Sequence, residues 1–473
     1  MNMRKGIACL VLSLMLYSVS AQVKLASIFT DNLVLQQKSM VSLWGWTKPG
    51  KNVTVVPSWD KKTYTTTSDK RGRFEARIST PEAGGPYQIS FNDGATVKLN
   101  NVLIGEVWLC SGQSNMEMPV TGFKGQPVNG SNDAILRSSN QNIRLYTVPR
   151  ASHLQPQENS KPSEWKMAGP ESVSNFSATA YFFGKDLNEL LNVPVGLINV
   201  SYGGSPVESW MDAKTLGPFP EIKLPTDSIK SPNRTPTTLF NGMLHPVIGY
   251  TIRGFIWYQG ESNYDNPDLY ERLFPAMVQQ WRMQWKAMDL PFYFAQIAPY
   301  DYAQLPPYHK GGKYNSAYLR DAQRKSLTLI PHSGMAVLMD AGVSYNIHPP
   351  QKKEAGQRLA LLALSKTYAL KGFGAESPTF DTLVIKDSIA EVKFRNAPNW
   401  LSSNGKELTQ FEIAGADKIF HPARAVIYRS SVMVSSPIVK KPVAVRYAFQ
   451  DFIIGELFST EGLPVSSFRT DNW

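Results

Sequence analysis

A chain of 473 residues with 42% hydrophobic and 11% aromatic side chains holds enough apolar material for two or three domains and at least one sizeable core, which excludes a disordered or low-complexity protein. Its net charge of +11 is spread over short mixed runs such as "KKTYTTTSDKRGR" and "QKKEAGQR". No basic run resembles a nucleic-acid-binding arm, and the surplus suits an acidic sugar or polysaccharide instead.

Residues 1–21 read as a secretory signal. Arg4 and Lys5 precede "GIACLVLSLMLYSV", which is too short for an ordinary bilayer-spanning helix, and "VSA" at 19–21 offers a small-residue cleavage site. The protein is therefore expected to be secreted or periplasmic in a bacterium, with no transmembrane segment after signal removal; an uncleaved N-terminal anchor is the alternative. Cys9 lies within the signal, so Cys110 would be the one remaining cysteine and no intramolecular disulfide could form.

From 22 to 100, "MVSLWGW", "NVTVVPSW", "KTYTTTS", "RFEARIS" and "YQISF" alternate apolar and polar residues between turn signals, which predicts a β-sandwich domain. From 101 to 370, apolar runs alternate with helical segments. "VLIGEVWLC", "VPVGLINVSY", "IRGFIWYQG", "PFYFAQIAP" and "GMAVLMD" read as strands, and "ATAYFFGKDLNELL", "DLYERLFPAMVQQWRMQW", "SAYLRDAQRKSL" and "PQKKEAGQRLALLALSK" as helices. That order predicts an α/β domain with a doubly wound, mostly parallel sheet. From 371 to 473, "TLVIKDSIAEVKF", "RAVIYRSSVMVSS" and "PVAVRYAF" predict a β-rich C-terminal domain.

In a doubly wound sheet, functional groups gather where strands end. Four loops follow predicted strands with usable chemistry: "CSGQSNM" at 110–116, "SYGGSPVESW" at 201–210, "YQGESN" at 258–263 and "DAGVSYNIHPP" at 340–350. Acyl transfer needs a nucleophile, a base and donors aimed at the developing oxyanion. Ser114 is the candidate nucleophile, with its own N–H as one donor. Gly203 or Gly204 lets backbone approach a substrate and supplies a second N–H, and the Gln259 amide is a third. His348, on a loop stiffened by Pro349 and Pro350, is the candidate base. Of the six histidines it alone falls between the last strand and last helix of the α/β region.

"GQSNM", "GGSPVESW", "WYQGESN" and "NIHP" together resemble the sialate O-acetylesterase branch of the SGNH hydrolases, over roughly residues 105–365. The resemblance implies an SGNH-type sheet and a serine esterase needing no cofactor. It assigns Ser114 as nucleophile, Gly204 (with Gly203 as runner-up) and Gln259 as oxyanion donors, and His348 as base. Many SGNH enzymes carry Asp three residues before the histidine, where this chain has Tyr345; Asp340 is the nearby substitute, and a Ser-His dyad oriented by a backbone carbonyl is the alternative. The implied substrate is a small molecule or glycan bearing O-acetyl groups, most directly O-acetylated sialic acid. Acetylated xylan or pectin is the alternative, and a non-catalytic glycan-binding protein is a reading of a different class.

Gln113, Asn115, Gly203, Glu261 and Arg320 are the remaining candidates for substrate contact. Glu261 also reads as a brace of the Gln259 loop, Asn115 as a turn-holding residue, and Arg320 with Gln323 as salt-bridge or substrate residues. Trp108 and Trp257 read as core; Trp210 is open between core and a sugar subsite. The histidines are isolated and no H-E-x-x-H, phosphate-loop or dinucleotide motif occurs, so no metal is expected.

Overall fold

The computed structural model of the chain describes residues 23–305 and 315–473, so the signal segment read at 1–21 lies outside the described residues. One strand organises the fold: Thr96–Gly112, here β1, 17 residues long. Its first residues alternate exposed and buried, as expected of a sheet with one wet face. From Val102 onward every residue is buried, as expected of a parallel sheet covered on both sides. The change falls at Asn101, a non-glycine residue with φ of 52°.

From Thr96 through Ile104 β1 pairs antiparallel with Gly84–Asn92. Beside it lie Asn52–Pro57 and Tyr64–Thr67, facing a second antiparallel sheet of Lys24–Leu25, Met40–Trp46 and Arg73–Ser79. The period-2 burial of Arg73–Ser79 follows the alternation of "RFEARIS". The N-terminal part is therefore built from antiparallel strands in two sheets. The expected boundary at 100/101, however, falls inside a continuous strand, because the same chain direction serves both sheets.

From Glu106 onward, β1 is the centre of the α/β sheet. The other strands are β2 (Asn140–Thr147), β3 (Val195–Ser201), β4 (Gly254–Tyr258), β5 (Phe292–Ala295) and β6 (Ser333–Ala336). Their spatial order is β2-β3-β1-β4-β5-β6 with every neighbouring pair parallel, and Lys166–Ala168 adds an antiparallel edge at β2. The chain winds to one side of β1 through β2 and β3, then crosses to β4, β5 and β6. The winding direction thus reverses at β1, whose carboxyl end is the crevice of the sheet.

Five helices frame this sheet: α1 (Ser114–Glu117), α2 (Ala178–Leu191), α3 (Pro267–Trp285), α4 (Ala317–Leu329) and α5 (Lys352–Lys366). Helix α2 starts on Ser177, whose hydroxyl accepts the Ala180 N–H, and stops at Asn192 in the left-handed region. It packs on α5, and α3 packs on α4. Strand β4 shows why both faces need cover. Phe255 and Trp257 join Trp281, Phe292 and Phe294 in one core, while Ile256 and Tyr258 join Trp108, Phe183 and Leu359 in the other. Trp108, Trp210 and Trp257 are all fully buried, which settles Trp210 as core. Among the described residues no helix is long and apolar enough to cross a membrane.

The C-terminal part holds two antiparallel four-stranded sheets, one containing Thr379–Lys386 and Ile389–Arg395, the other Phe411–Ala414 and Ala444–Tyr447. Phe380 of the first stacks on Phe468 of the second with centroids 5.1 Å apart. This part is fastened to the α/β sheet by Gln296 Nε2 to Ser466 Oγ at 2.8 Å and by the Gly455 N–H to Met339 O at 2.8 Å.

Candidate functional site

The site begins where β1 ends. Gly112 has φ of 144°, and a Cβ there would lie 2.1 Å from the Tyr258 carbonyl oxygen, so only glycine lets β1 turn while still flanking β4. Gln113 then caps α1, and Ser114 is its first residue, partly exposed between buried neighbours. Ser111, expected in the turn, is still within β1; its hydroxyl donates to Val200 O at 2.5 Å. Cys110 is buried as a packed thiol, and burial pushes it well above its ordinary pKa.

The four predicted loops do converge. Gln113 Oε1 accepts the backbone N–H of Ser262 at 3.1 Å and of Gly260 at 3.4 Å, tying the Ser114 turn to the loop after β4. A Cβ on Gly203 would stand 3.4 Å from Ser114 Cβ, which places the loop after β3 against Ser114. Asn115 Nδ2 donates to Ile347 O at 3.1 Å, bringing in the loop that carries His348. Among the described residues no hydrogen bond joins the Ser114 hydroxyl to the His348 ring, whose ring partner is Gln126.

His348 is oriented by a residue outside the predicted set. Its Nδ1 lies 2.6 Å from Gln126 Oε1. An amide oxygen only accepts, so Nδ1 carries the proton and Nε2 is the free lone pair. The ring also meets Phe123 edge to face at 5.2 Å. Burial first, and the Lys352 ammonium second, lower the imidazole pKa to about 4, so the ring is neutral at pH 7. Asp340 is not its partner. Both Asp340 oxygens are taken by Arg358, at 2.7 and 2.6 Å. Tyr345, at the position of the missing acid, is 80% exposed.

The oxyanion set also changes. Gln259 is fully buried, and its Nε2 is committed to Asn263 Oδ1 at 2.7 Å and Ser205 O at 3.1 Å, so both amide hydrogens are occupied. The Gly203 N–H donates to Glu117 Oε2 at 2.8 Å and is not free either. Gly204 sits at φ of 70°, and Asn233 Nδ2 holds the preceding carbonyl, Gly203 O, at 2.7 Å. In a trans peptide the N–H opposes the C=O, so the Gly204 N–H points away from Asn233. Glu117 also pairs with Arg150 at 2.6 Å, and the Arg150 guanidinium lies 4.5 Å from the Tyr202 ring centroid.

Several expected substrate contacts are braces. Gln113, Asn115 and Glu261 are each at most 3% exposed and face other loops rather than a cleft. Arg320 is fully buried on α4; it donates to Ser467 Oγ and Ser316 Oγ at 3.1 Å each, and to the carbonyls of Gln450 and Asp451, fixing the C-terminal part. Gln323 holds the loop after β4 through Gln259 O at 3.0 Å and accepts from Ile297 N at 2.9 Å.

Sequence reasoning missed Gln126, Glu117, Asn233 and Lys352. Lys352 had one available signal, its place four residues after His348 at the start of a predicted helix. A groove of about 810 Å³ lined by Phe373, Glu376, Asn396, Asn399 and Glu461 contains none of the candidate catalytic residues. Among the described residues no cluster of histidine, cysteine and carboxylates could hold a metal ion.

Residues 104–364 match the family model "carbohydrate esterase, sialic acid-specific acetylesterase". Human sialate O-acetylesterase is 29% identical over 409 residues, covering 78% of this chain and 76% of that protein. The mouse sialate O-acetylesterase is 28% identical over 441 residues, covering 79% of each. A crystal structure of a carbohydrate acetylesterase from Xanthomonas citri matches with a TM-score of 0.87 at 34% identity, covering 96% of this chain and 100% of that one.

Proposed function

The chain belongs to the sialic acid-specific acetylesterase family of carbohydrate esterases and is an ester hydrolase, and from that premise we propose that it removes acetyl groups from O-acetylated sugars through a Ser114 nucleophile and a His348 base. The observation that carries the reading is the pairing of His348 Nδ1 with Gln126 Oε1 at 2.6 Å beside the Ser114 turn. It leaves Nε2 as the one ring atom able to take a proton.

In the first half-reaction Ser114 Oγ bonds to the acetyl carbonyl carbon as its proton passes to His348 Nε2. The resulting oxyanion is met by the N–H groups of Ser114 and Gly204. Collapse breaks the bond to the sugar oxygen, which leaves with the proton from Nε2. In the second, water attacks the acetyl-serine, His348 takes its proton, and acetate departs as Ser114 Oγ regains a hydrogen. Gln126 fixes the tautomer but brings no charge to the imidazolium, so this is a dyad oriented by an amide.

The sugar is read first as O-acetylated sialic acid, from the names of the mammalian relatives. An acetylated polysaccharide such as xylan or pectin is the second reading, which the 34% identical bacterial carbohydrate acetylesterase leaves open. Acetate release from acetylated sialic acid, xylan and pectin, measured side by side, decides between them. Hydrolysis of a nitrophenyl acetate by wild type and Ser114→Ala tests the chemistry: the variant is expected at background, and an undiminished rate removes Ser114. Residues 1–21 support export from the cytoplasm; a secreted form beginning near Gln22 is the expected result of N-terminal sequencing, and a retained Met1 would refute it.

A further inference from the structure

Lys352 is buried, 1% exposed, at the first position of α5. A lone ammonium in such a place is costly, so its partners are informative. Its Nζ donates to Asn115 Oδ1 at 2.6 Å and to Pro349 O at 2.8 Å. The same Asn115 amide donates through Nδ2 to Glu261 and to Ile347 O. Asn115 directly follows Ser114, and Ile347 and Pro349 directly flank His348. The carbonyls on both sides of the base are thus held by one buried assembly that includes the residue next to the nucleophile.

The charges are ordered along it. The Asn115 amide presents its N–H end to the Glu261 carboxylate and its oxygen to the Lys352 ammonium. Glu261 Oε2 has no hydrogen-bond partner, and burial raises the Glu261 pKa. Burial likewise lowers Lys352 to about 7, while Glu261 opposes that shift. Around Lys352 stand Glu261, reached through Asn115, the Tyr258 ring with its centroid 6.0 Å from Nζ, and His348. Lys353 and Glu354 follow it on the same helix. Burial holds Tyr258 neutral by raising its pKa well above the ordinary value.

We propose that Lys352, held through Asn115 to Glu261, is the positioning residue that sets the His348 loop against the Ser114 turn. The proposal rests on the Ser114–His348 reading. Its chemical logic is that an amide-oriented histidine lacks a carboxylate to fix the loop electrostatically, so the loop is fixed from its backbone. A nearby cation also disfavours the imidazolium, as a like charge does.

The test is kcat and kcat/KM against pH on an acetyl ester for the full chain, with Lys352→Met, Lys352→Arg and Ser114→Ala. Lys352→Met is expected to lose about 100-fold in kcat, the scale of a small misplacement of a reacting group, with KM nearly unchanged. Its acid limb should move upward by about one pH unit as the cation is removed. Lys352→Arg keeps the charge but not the compact three-donor head. It should lose kcat with the acid limb unmoved, and it carries the test if Lys352→Met does not fold. An unmoved acid limb in a folded Lys352→Met, or a parental kcat in Lys352→Arg, overturns the proposal. An active Ser114→Ala instead removes the reading beneath it; an inactive Ser114→Ala with unaffected Lys352 variants overturns this proposal alone.

Discussion

Replacing Gln126 by glutamate exchanges an amide for a carboxylate of the same shape at the atom that orients the base. The acceptor oxygen lies 2.6 Å from His348 Nδ1, so the variant needs no rearrangement to pair with the imidazolium. In the parent, burial and the Lys352 cation lower the imidazole to about 4. An opposite charge at this range raises a pKa by about 1 to 3 units, and Gln126 is only half-buried, so the lower part of that range applies. The acid limb of kcat/KM reports ionisation of the free enzyme. It is expected near pH 4 in the parent and between about pH 5 and 6 in the variant. The sign is definite: a raised pKa means more protonated, inactive base at low pH, so the variant is slower near pH 5. Above the new limb it holds a stronger base and a stabilised imidazolium, and is faster than the parent. Initial rates on a chromogenic or fluorogenic acetyl ester across the acid and neutral range measure both. An acid limb that does not move, or moves downward, refutes the assignment of Gln126 Oε1 as the partner of Nδ1.

Asp340→Asn is expected to leave kcat at the parental level while weakening the Arg358 pair by about 1 kcal/mol, read by denaturant titration; a loss on the scale of about 10⁴ in kcat, as for removal of a triad carboxylate, would return Asp340 to the site. Gly204→Ala puts a Cβ 2.8 Å from Asn233 Nδ2 on backbone at φ of 70°. It should lower kcat about 100-fold, the cost of displacing one oxyanion donor, and a change confined to KM would argue against the Gly204 N–H. Arg320→Met strips the donor from Gln450 O, Asp451 O and two serine hydroxyls, for an expected loss of about 3 kcal/mol in unfolding free energy; parental stability combined with a raised KM would mark Arg320 as a substrate contact after all.

Apolar patterning read Met40–Trp46, Asn52–Pro57, Tyr64–Thr67, Arg73–Ser79 and the parallel strands β1 and β3 to β6, because their burial alternates or saturates as the residues do; it did not read the two-residue Lys24–Leu25. "RFEARIS" and "ATAYFFGKDLNELL" coincide with Arg73–Ser79 and Ala178–Leu191 to the residue. The place of Ser114 just past β1 was legible because a polar, glycine-containing turn follows a buried strand there. His348 was legible by its place after the last strand. What escaped were partners fixed only in three dimensions. Gln126 lies 222 residues from the ring it orients, in a loop with no periodicity. Asp340 looked available because spacing says nothing of Arg358, one helix later. Arg320 read as a contact because, Ser316 aside, its partners stand 130 to 147 residues further on. Gln259 and Gly203 lie on the loops read for them, but their N–H groups are committed to other partners, which a sequence does not show.

The unbroken strand Thr96–Gly112 has a consequence for how the polypeptide acquires its shape. A parallel sheet closes slowly, since its neighbours are remote along the chain: Trp108 finds Leu197 on one side and Gly254 on the other. As the ribosome delivers the N-terminal strands first, the hairpin of Gly84–Asn92 with Thr96 onward can form before any of those partners exist. The emerging segment is then a template already straight at one end, onto which later strands zip. Severing the chain between residues 100 and 101 would discard that template, leaving the catalytic sheet to nucleate around a strand with nothing holding its start.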